Sequence, residues 1–314
     1  MSCERLSTGL LPATVLFALV AGGSVCAQQP PEQEPPEREG FKASAEVSSI
    51  LVPVTVRDRN GRLIATLDQD RFHLYVDDME FPIKSFWREG GLPISYSFVV
   101  DTSGSMNGRR LVKTREAVME FVRQMRPGDE VCLITFGAGA VKRRLAFGTD
   151  PSLVSRILES LRGWGTTALY DMLTATPQAM DDAHNLRRVV LLFTDGVDTA
   201  SAFTPADAMR VLEGLADPVY ALGIEPPPPE EGVPESYEDL LEKFAAASGG
   251  RYLRVDDASK LPKFARDLRT ELSMRYIITF DPAGLGIAKW RKVEVKVDGG
   301  YVAMARQGYR GTLP

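Results

Sequence analysis

Asp101, Ser103 and Ser105 occupy alternate positions in Val99-Val100-Asp101-Thr102-Ser103-Gly104-Ser105-Met106. A hydrophobic run precedes them and a helical pattern follows. In open α/β sheets ligands bind at the carboxyl ends of strands, where such a loop would lie. Gly104 lets the backbone turn tightly between the hydroxyls. Two later segments carry oxygen in the same setting. Thr167 lies in Gly165-Thr166-Thr167-Ala168-Leu169-Tyr170-Asp171, and Asp195 closes the apolar run Leu192-Phe193-Thr194. If these strands are neighbours, Asp101, Ser103, Ser105, Thr167 and Asp195 face one point. Two carboxylates and three neutral hydroxyls suit a hard divalent cation with water completing its shell. Mg²⁺ fits best, with Mn²⁺ and Ca²⁺ as alternatives. If water separates the carboxylates from the ion, the ion keeps most of its positive charge. It then seeks an anion from outside: the Asp or Glu side chain of a protein partner.

Composition narrows the rivals. The 314 residues carry 37 Lys and Arg against 42 Asp and Glu, a formal net charge of -5. No basic surplus exists to release counterions from nucleic acid. Only two histidines (His73, His184) and three cysteines (Cys3, Cys26, Cys132) are present, none paired at zinc-ligand spacing. A Ser-His-Asp or Cys-His mechanism is disfavoured. No small-molecule substrate is indicated. A metal-dependent hydrolase would need a general base, and none is visible. Asp101-Thr102-Ser103-Gly104 interrupts the D-T-G of aspartic proteases and has no second copy. Gly137-Ala138-Gly139 lacks the third glycine of a dinucleotide fingerprint. The expectation is a protein that is not an enzyme.

The first residues read as an address. Leu10 to Ala21 is an apolar run behind Arg5, too short to span a bilayer, and Val25-Cys26-Ala27 offers small residues for cleavage. Residues 1–27 are expected to be a signal peptide and the protein exported: periplasmic, cell-surface or secreted. Membrane association follows only if the signal stays uncleaved. Cys132 is then the sole cysteine, expected to be a buried small hydrophobe. Residues 28–40, QQPPEQEPPEREG, hold no large apolar residue and read as a linker.

The elements that must position the five oxygens alternate by period. Residues 41–91 read as β, with Ile50 to Val56, an Asn60-Gly61 turn, and Phe72, Leu74 and Val76 alternating. From residue 92, apolar strands at 95–100, 131–136, 189–193, 219–224 and 252–255 alternate with amphipathic helices at 111–125, 153–161, 169–180, 206–215, 237–247 and 258–274. That alternation predicts a mostly parallel sheet covered on both faces. Residues 275–314 return to β, at 276–280, 291–297 and 301–305. Neither β piece is large enough to be stable alone, so they are expected to pair.

The order Asp101-x-Ser103-x-Ser105, then Thr167, then Asp195 resembles the metal-ion-dependent adhesion site (MIDAS) of von Willebrand factor type A (VWFA) domains. The resemblance covers about residues 92–274. It implies an α/β fold with a doubly wound, mostly parallel, six-stranded sheet, Rossmann-like, with one antiparallel edge strand near Val141 to Phe147. Here that unit is inserted in a small β-sandwich-like domain. The implied function is metal-dependent, adhesion-type protein binding. The alternative is a structural or envelope-assembly protein whose metal site is vestigial. Val54 to Asp58, Phe72 to Asp78, Trp290 to Val293 and Arg306 to Tyr309 look like the bacterial VWFA-related family first described from Acidobacteria. Among neighbours of the motif, Asp198 reads as a solvated loop acid, with support of the ligands as the alternative, Asp171 as a first-turn helix charge, and Trp164 as a loop-packing residue, with an exposed partner contact as the alternative.

Overall fold

The computed structural model describes residues 49–228, 235–282, 285 and 290–310. The expected signal peptide, the expected linker and the centre of the acidic Pro-rich loop after Ile224 lie outside the described residues. Four strands come first: β1 (Ile50–Arg57), β2 (Phe72–Val76), β3 (Met79–Phe81) and β4 (Ser85–Arg88). There follow β5 (Ile94–Asp101), α1 (Arg109–Arg123), β6 (Glu130–Gly137), β7 (Ala140–Leu145), α2 (Leu153–Ser160) and α3 (Leu169–Thr174). Next are β8 (Arg187–Thr194), α4 (Pro205–Gly214), β9 (Val219–Ile224), α5 (Tyr237–Ala247), β10 (Tyr252–Val255) and α6 (Leu261–Ser273). The last strands are β11 (Tyr276–Phe280), β12 (Trp290–Val297), β13 (Val302–Ala305) and β14 (Gly308–Arg310).

The middle elements build a six-stranded sheet in the order β10-β9-β8-β5-β6-β7. All neighbours are parallel except β7, which runs antiparallel to β6. The chain moves from β5 outward to β6 and β7, then crosses back to place β8 on the other side of β5. That reversal is the switch point at which such sheets open a crevice. Every residue of β5 is buried, which requires cover on both faces. Tyr96, Phe98 and Val100 enter one core with α1, α2 and α6; Val99 faces the other, with α3, α4 and α5. The mixed α/β fold with a six-stranded, mostly parallel sheet is the one expected.

The flanking strands form two four-stranded sheets, β13-β1-β11-β4 and β14-β12-β2-β3. Each contains strands from both ends of the sequence. Val52, Val54 and Val56 of β1 meet Phe72, Leu74 and Val76 of β2 across a third core. Alternation along each strand sets which side faces inward.

Boundaries differ where proline intervenes. The helix expected over 169–180 stops at Thr174, and Pro177 opens a separate 3₁₀ turn, since proline has no N–H for a helical bond and its ring clashes with the preceding turn. Residues on either side of Pro82 join different sheets, β3 on β2 and β4 on β11.

Two buried ionic clusters lie where the flanking sheets meet the α/β unit. The chain leaves β4 through Glu89 and returns from α6 through Arg275. Glu89 N–H donates to the Arg275 carbonyl (3.1 Å), and the Arg275 guanidinium grips the Glu89 carboxylate with both arms (2.8 and 3.0 Å). Nearby, Glu271 of α6 is fully buried. It accepts from Arg57 of β1 (2.6 Å), pairs with Arg251 (2.6 Å) and accepts from Tyr220 of β9 (2.8 Å).

Candidate metal centre

The site forms where β5 and β8 end side by side. Val100 is in register with Phe193, so Asp101 and Thr194 lie together at the strand ends. Thr194 Oγ1 donates to Asp101 Oδ2 (2.7 Å), and Ser103 N–H donates to Asp101 Oδ1 (2.8 Å). The Ser103 and Ser105 hydroxyls are 3.2 Å apart. Asp101, Ser103 and Asp195 are buried, whereas Ser105 is exposed and marks the mouth. The 3₁₀ turn at Gly104–Met106 is what brings the Ser105 hydroxyl back to that of Ser103.

Thr167, also buried, is brought to this end by backbone contacts. Trp164 N–H donates to the Thr102 carbonyl (3.0 Å), Gly104 N–H to the Gly165 carbonyl (2.9 Å) and Ala138 N–H to the Thr166 carbonyl (2.7 Å). Two glycines permit this approach. A Cβ on Gly163 would lie 2.7 Å from the Ser103 carbonyl oxygen, and one on Gly165 only 2.6 Å from Ala138 Cβ. Gly165 also has φ +74°, a left-handed conformation costly for other residues.

Burial pushes the Asp101 carboxyl up to about 6, and the charge of Asp195 pushes the same way, against the bonds from Thr194 and Ser103. Asp195 Oδ1 accepts from Val197 N–H (3.2 Å). Its Oδ2 is buried without a hydrogen bond; Arg110 Nη1 lies 3.2 Å away in an ion pair poorly aligned for one. Two desolvated carboxylates near each other, one with an oxygen lacking a donor, are stabilised by positive charge. The donor set is all oxygen and fits a hard divalent cation. Among the described residues no three His, Cys, Asp or Glu side chains converge as a metal cluster. Here hydroxyls supplement two carboxylates instead.

Three neighbours escaped the sequence reading, Thr194, Arg110 and Thr199, and a fourth, Asp198, does more than expected. Thr194 was legible only as the residue before Asp195. Arg110 looked like any helix-surface arginine. Asp198, expected to be solvated, accepts from Leu169 N–H (2.7 Å) and from Ser201, so it caps the start of α3. Thr199 Oγ1 accepts from Thr167 N–H (2.9 Å). Both hold the Thr167 loop from about thirty residues away, a distance over which sequence spacing carries no local signal. Asp171 lies in the first turn of α3, as expected, and also accepts from Phe203 N–H (2.9 Å). Trp164, expected to pack its loop, is 67% exposed because Gly163 and Gly165 pin the backbone without it. Cys132 is free and fully buried, and burial pushes its thiol up to about 11.

The sequence profile of the von Willebrand factor type A domain matches residues 96–197, which hold all five oxygen-bearing residues. Among curated proteins, inter-alpha-trypsin inhibitor heavy chain H4 of Homo sapiens is 28% identical over 243 residues, covering 68% of this chain and 24% of that protein. Its Sus scrofa counterpart is 24% identical over 262 residues, covering 78% and 26%. The match thus spans about a quarter of these relatives' length. A solved structure, von Willebrand factor type A from Catenulispora acidiphila, aligns with 82% of this chain and 72% of its own, at 15% identity and a TM-score of 0.45. The profile match falls on β5 through β8 and the loops that carry the cluster, so it is residues 96–197 that are similar to a von Willebrand factor type A domain.

Proposed function

We propose that this domain is a non-catalytic, exported protein-binding module that engages the Asp or Glu carboxylate of a partner protein through a divalent cation, Mg²⁺ foremost, with Mn²⁺ or Ca²⁺ as substitutes. Asp101, Ser103, Ser105, Thr167 and Asp195 are the residues that would hold it. The observation that carries this reading is Asp195 Oδ2: a buried carboxylate oxygen without a hydrogen bond, beside a second buried carboxylate. When bound, the ion supplies a positive charge that a partner's carboxylate can complete. The protein's own residues do the rest. Thr194 and the Ser103 amide fix Asp101, Asp198 and Thr199 hold the Thr167 loop, and exposed Ser105 opens the site to the surface. No helix among the described residues is long and apolar enough to cross a membrane. Export rests on the leader read in residues 1–27. The flanking motifs support placing the chain in the bacterial VWFA-related family.

Isothermal titration of the folded protein with Mg²⁺ or Mn²⁺, against Asp101→Ala, tests the cation. Binding that Asp101→Ala abolishes supports the reading, and no heat from the wild type overturns it. A crosslinking pull-down with and without EDTA then tests the partner. A second reading, a structural protein with a vestigial site, has one observation in its favour: Arg110 already stands against Asp195. Partner capture unaffected by EDTA and by Ser103→Ala would favour it.

A further inference from the structure

Arg110 is held from three sides. Its Nε and Nη2 donate to the Glu225 carbonyl (3.1 and 2.8 Å), and its Nη1 donates to the Ser105 carbonyl (2.9 Å) while lying 3.2 Å from Asp195 Oδ2. Glu225 aims that carbonyl from a left-handed backbone, φ +44°, rare for a residue with a side chain. The Glu225 carboxylate is itself fixed by Arg109 (3.1 Å) and Lys113. This is more positioning than a surface arginine on a helix requires. Its guanidinium is directed at the one site carboxylate whose outer oxygen lacks a donor.

We propose that Arg110 is a built-in counter-cation of Asp195 that sets the affinity of the site for divalent ions by competing for that carboxylate. The inference rests on the proposed cation site and adds its regulation. Without an ion, two desolvated carboxylates repel each other, and a guanidinium 3.2 Å from one of them relieves that repulsion. With an ion, the same guanidinium is a like charge beside it. Whether it swings out or stays, Arg110 and the cation oppose each other. Opposition between two ligands of one group is reciprocal. Arg110 therefore stabilises the ion-free site, and it weakens ion binding by the factor by which the ion weakens the Arg110–Asp195 contact. The site would then fill only where divalent ions are abundant.

The test compares wild type, Arg110→Gln and Arg110→Lys by titration with Mg²⁺ and Mn²⁺, and by melting in EDTA and in saturating Mg²⁺. Arg110→Gln keeps hydrogen bonding and removes charge. It should bind Mn²⁺ at least about five-fold more tightly, within the range of ordinary coupling between sites. It should also melt earlier in EDTA and gain more from Mg²⁺. Arg110→Lys keeps the charge and should remain near wild type. Unchanged or weaker binding by a folded Arg110→Gln overturns the inference, as does equal tightening by Arg110→Lys. A wild type that binds no divalent ion overturns the proposed function instead. The wild type alone gives a readout that needs no folded variant: the Arg110 side-chain N–H resonances should shift on saturation with Mg²⁺, and their constancy is contrary to the proposal.

Discussion

Glu271 offers the sharpest test of how the flanking sheets and the α/β unit hold together. Its carboxylate is fully buried and serves two arginines through Oε2, each at 2.6 Å, and the Tyr220 hydroxyl through Oε1 at 2.8 Å. Glu271→Gln keeps the shape. The amide oxygen can take over the arginines, but the amide nitrogen only donates, so the buried Tyr220 hydroxyl loses its acceptor. Charge and that one acceptor are lost. A hydrogen bond to a charged group contributes about 1.5–3 kcal/mol, and the guanidinium donors remain charged in Glu271→Gln, so losing the carboxylate charge and the Tyr220 acceptor together should cost about 1–4 kcal/mol. Arg57 and Arg251 side chains are 20% and 32% exposed, and water screens part of this. About 2 kcal/mol is expected. Glu271→Ala instead removes every atom that bonds Tyr220 and leaves both arginines without their buried counter-charge. That should cost about 3–5 kcal/mol. Urea unfolding reads both as lowered midpoints at unchanged slope. Arg57→Met combined with Glu271→Gln should cost less than the two separately, because they remove one shared interaction. A change below about 0.5 kcal/mol for Glu271→Gln, or strict additivity with Arg57→Met, would refute the reasoning.

Three further outcomes are expected. Gly165→Ala should destabilise the protein by more than about 1 kcal/mol and loosen the Thr167 loop, because of positive φ and the Ala138 contact; urea unfolding and amide exchange at Thr166 and Thr167 check it. Cys132 should resist alkylation at pH 8 while folded and react fully in denaturant, since burial pushes its thiol up to about 11. His73, 2.9 Å from Glu80 and 3.4 Å from Asp298, should titrate above the ordinary 6.5, chiefly through Glu80. Its stabilising contribution is therefore full below the unfolded value and fades as pH rises through the folded one. Proton NMR of the ring should show this, and Glu80→Gln should bring the titration back down.

The periodic parts of the fold were the legible ones. Continuous apolar runs such as 189–193 mark strands buried on both faces, and alternation at Phe72, Leu74 and Val76 marks one-sided burial. The five oxygen-bearing residues stood out because each follows or opens an element at the ligand-binding end of a sheet. What holds them was hidden for a different reason. Arg110 depends on the carbonyl of Glu225, and Thr167 on the side chain of Thr199. Such contacts join residues by topology, and no spacing rule encodes them. The choice between a packed and an exposed Trp164 was open in the sequence, because the close approach of the glycines on either side shows only in the folded loops.

The Glu89–Arg275 grip has a mechanical consequence. A ligand that pulled on the cluster at the end of β5 would transmit tension to the flanking sheets through both chain crossings at once. Those crossings are adjacent antiparallel strands, with Arg88 in register with Tyr276. Pulling them in the same direction loads them in parallel, and neither strand slides past the other.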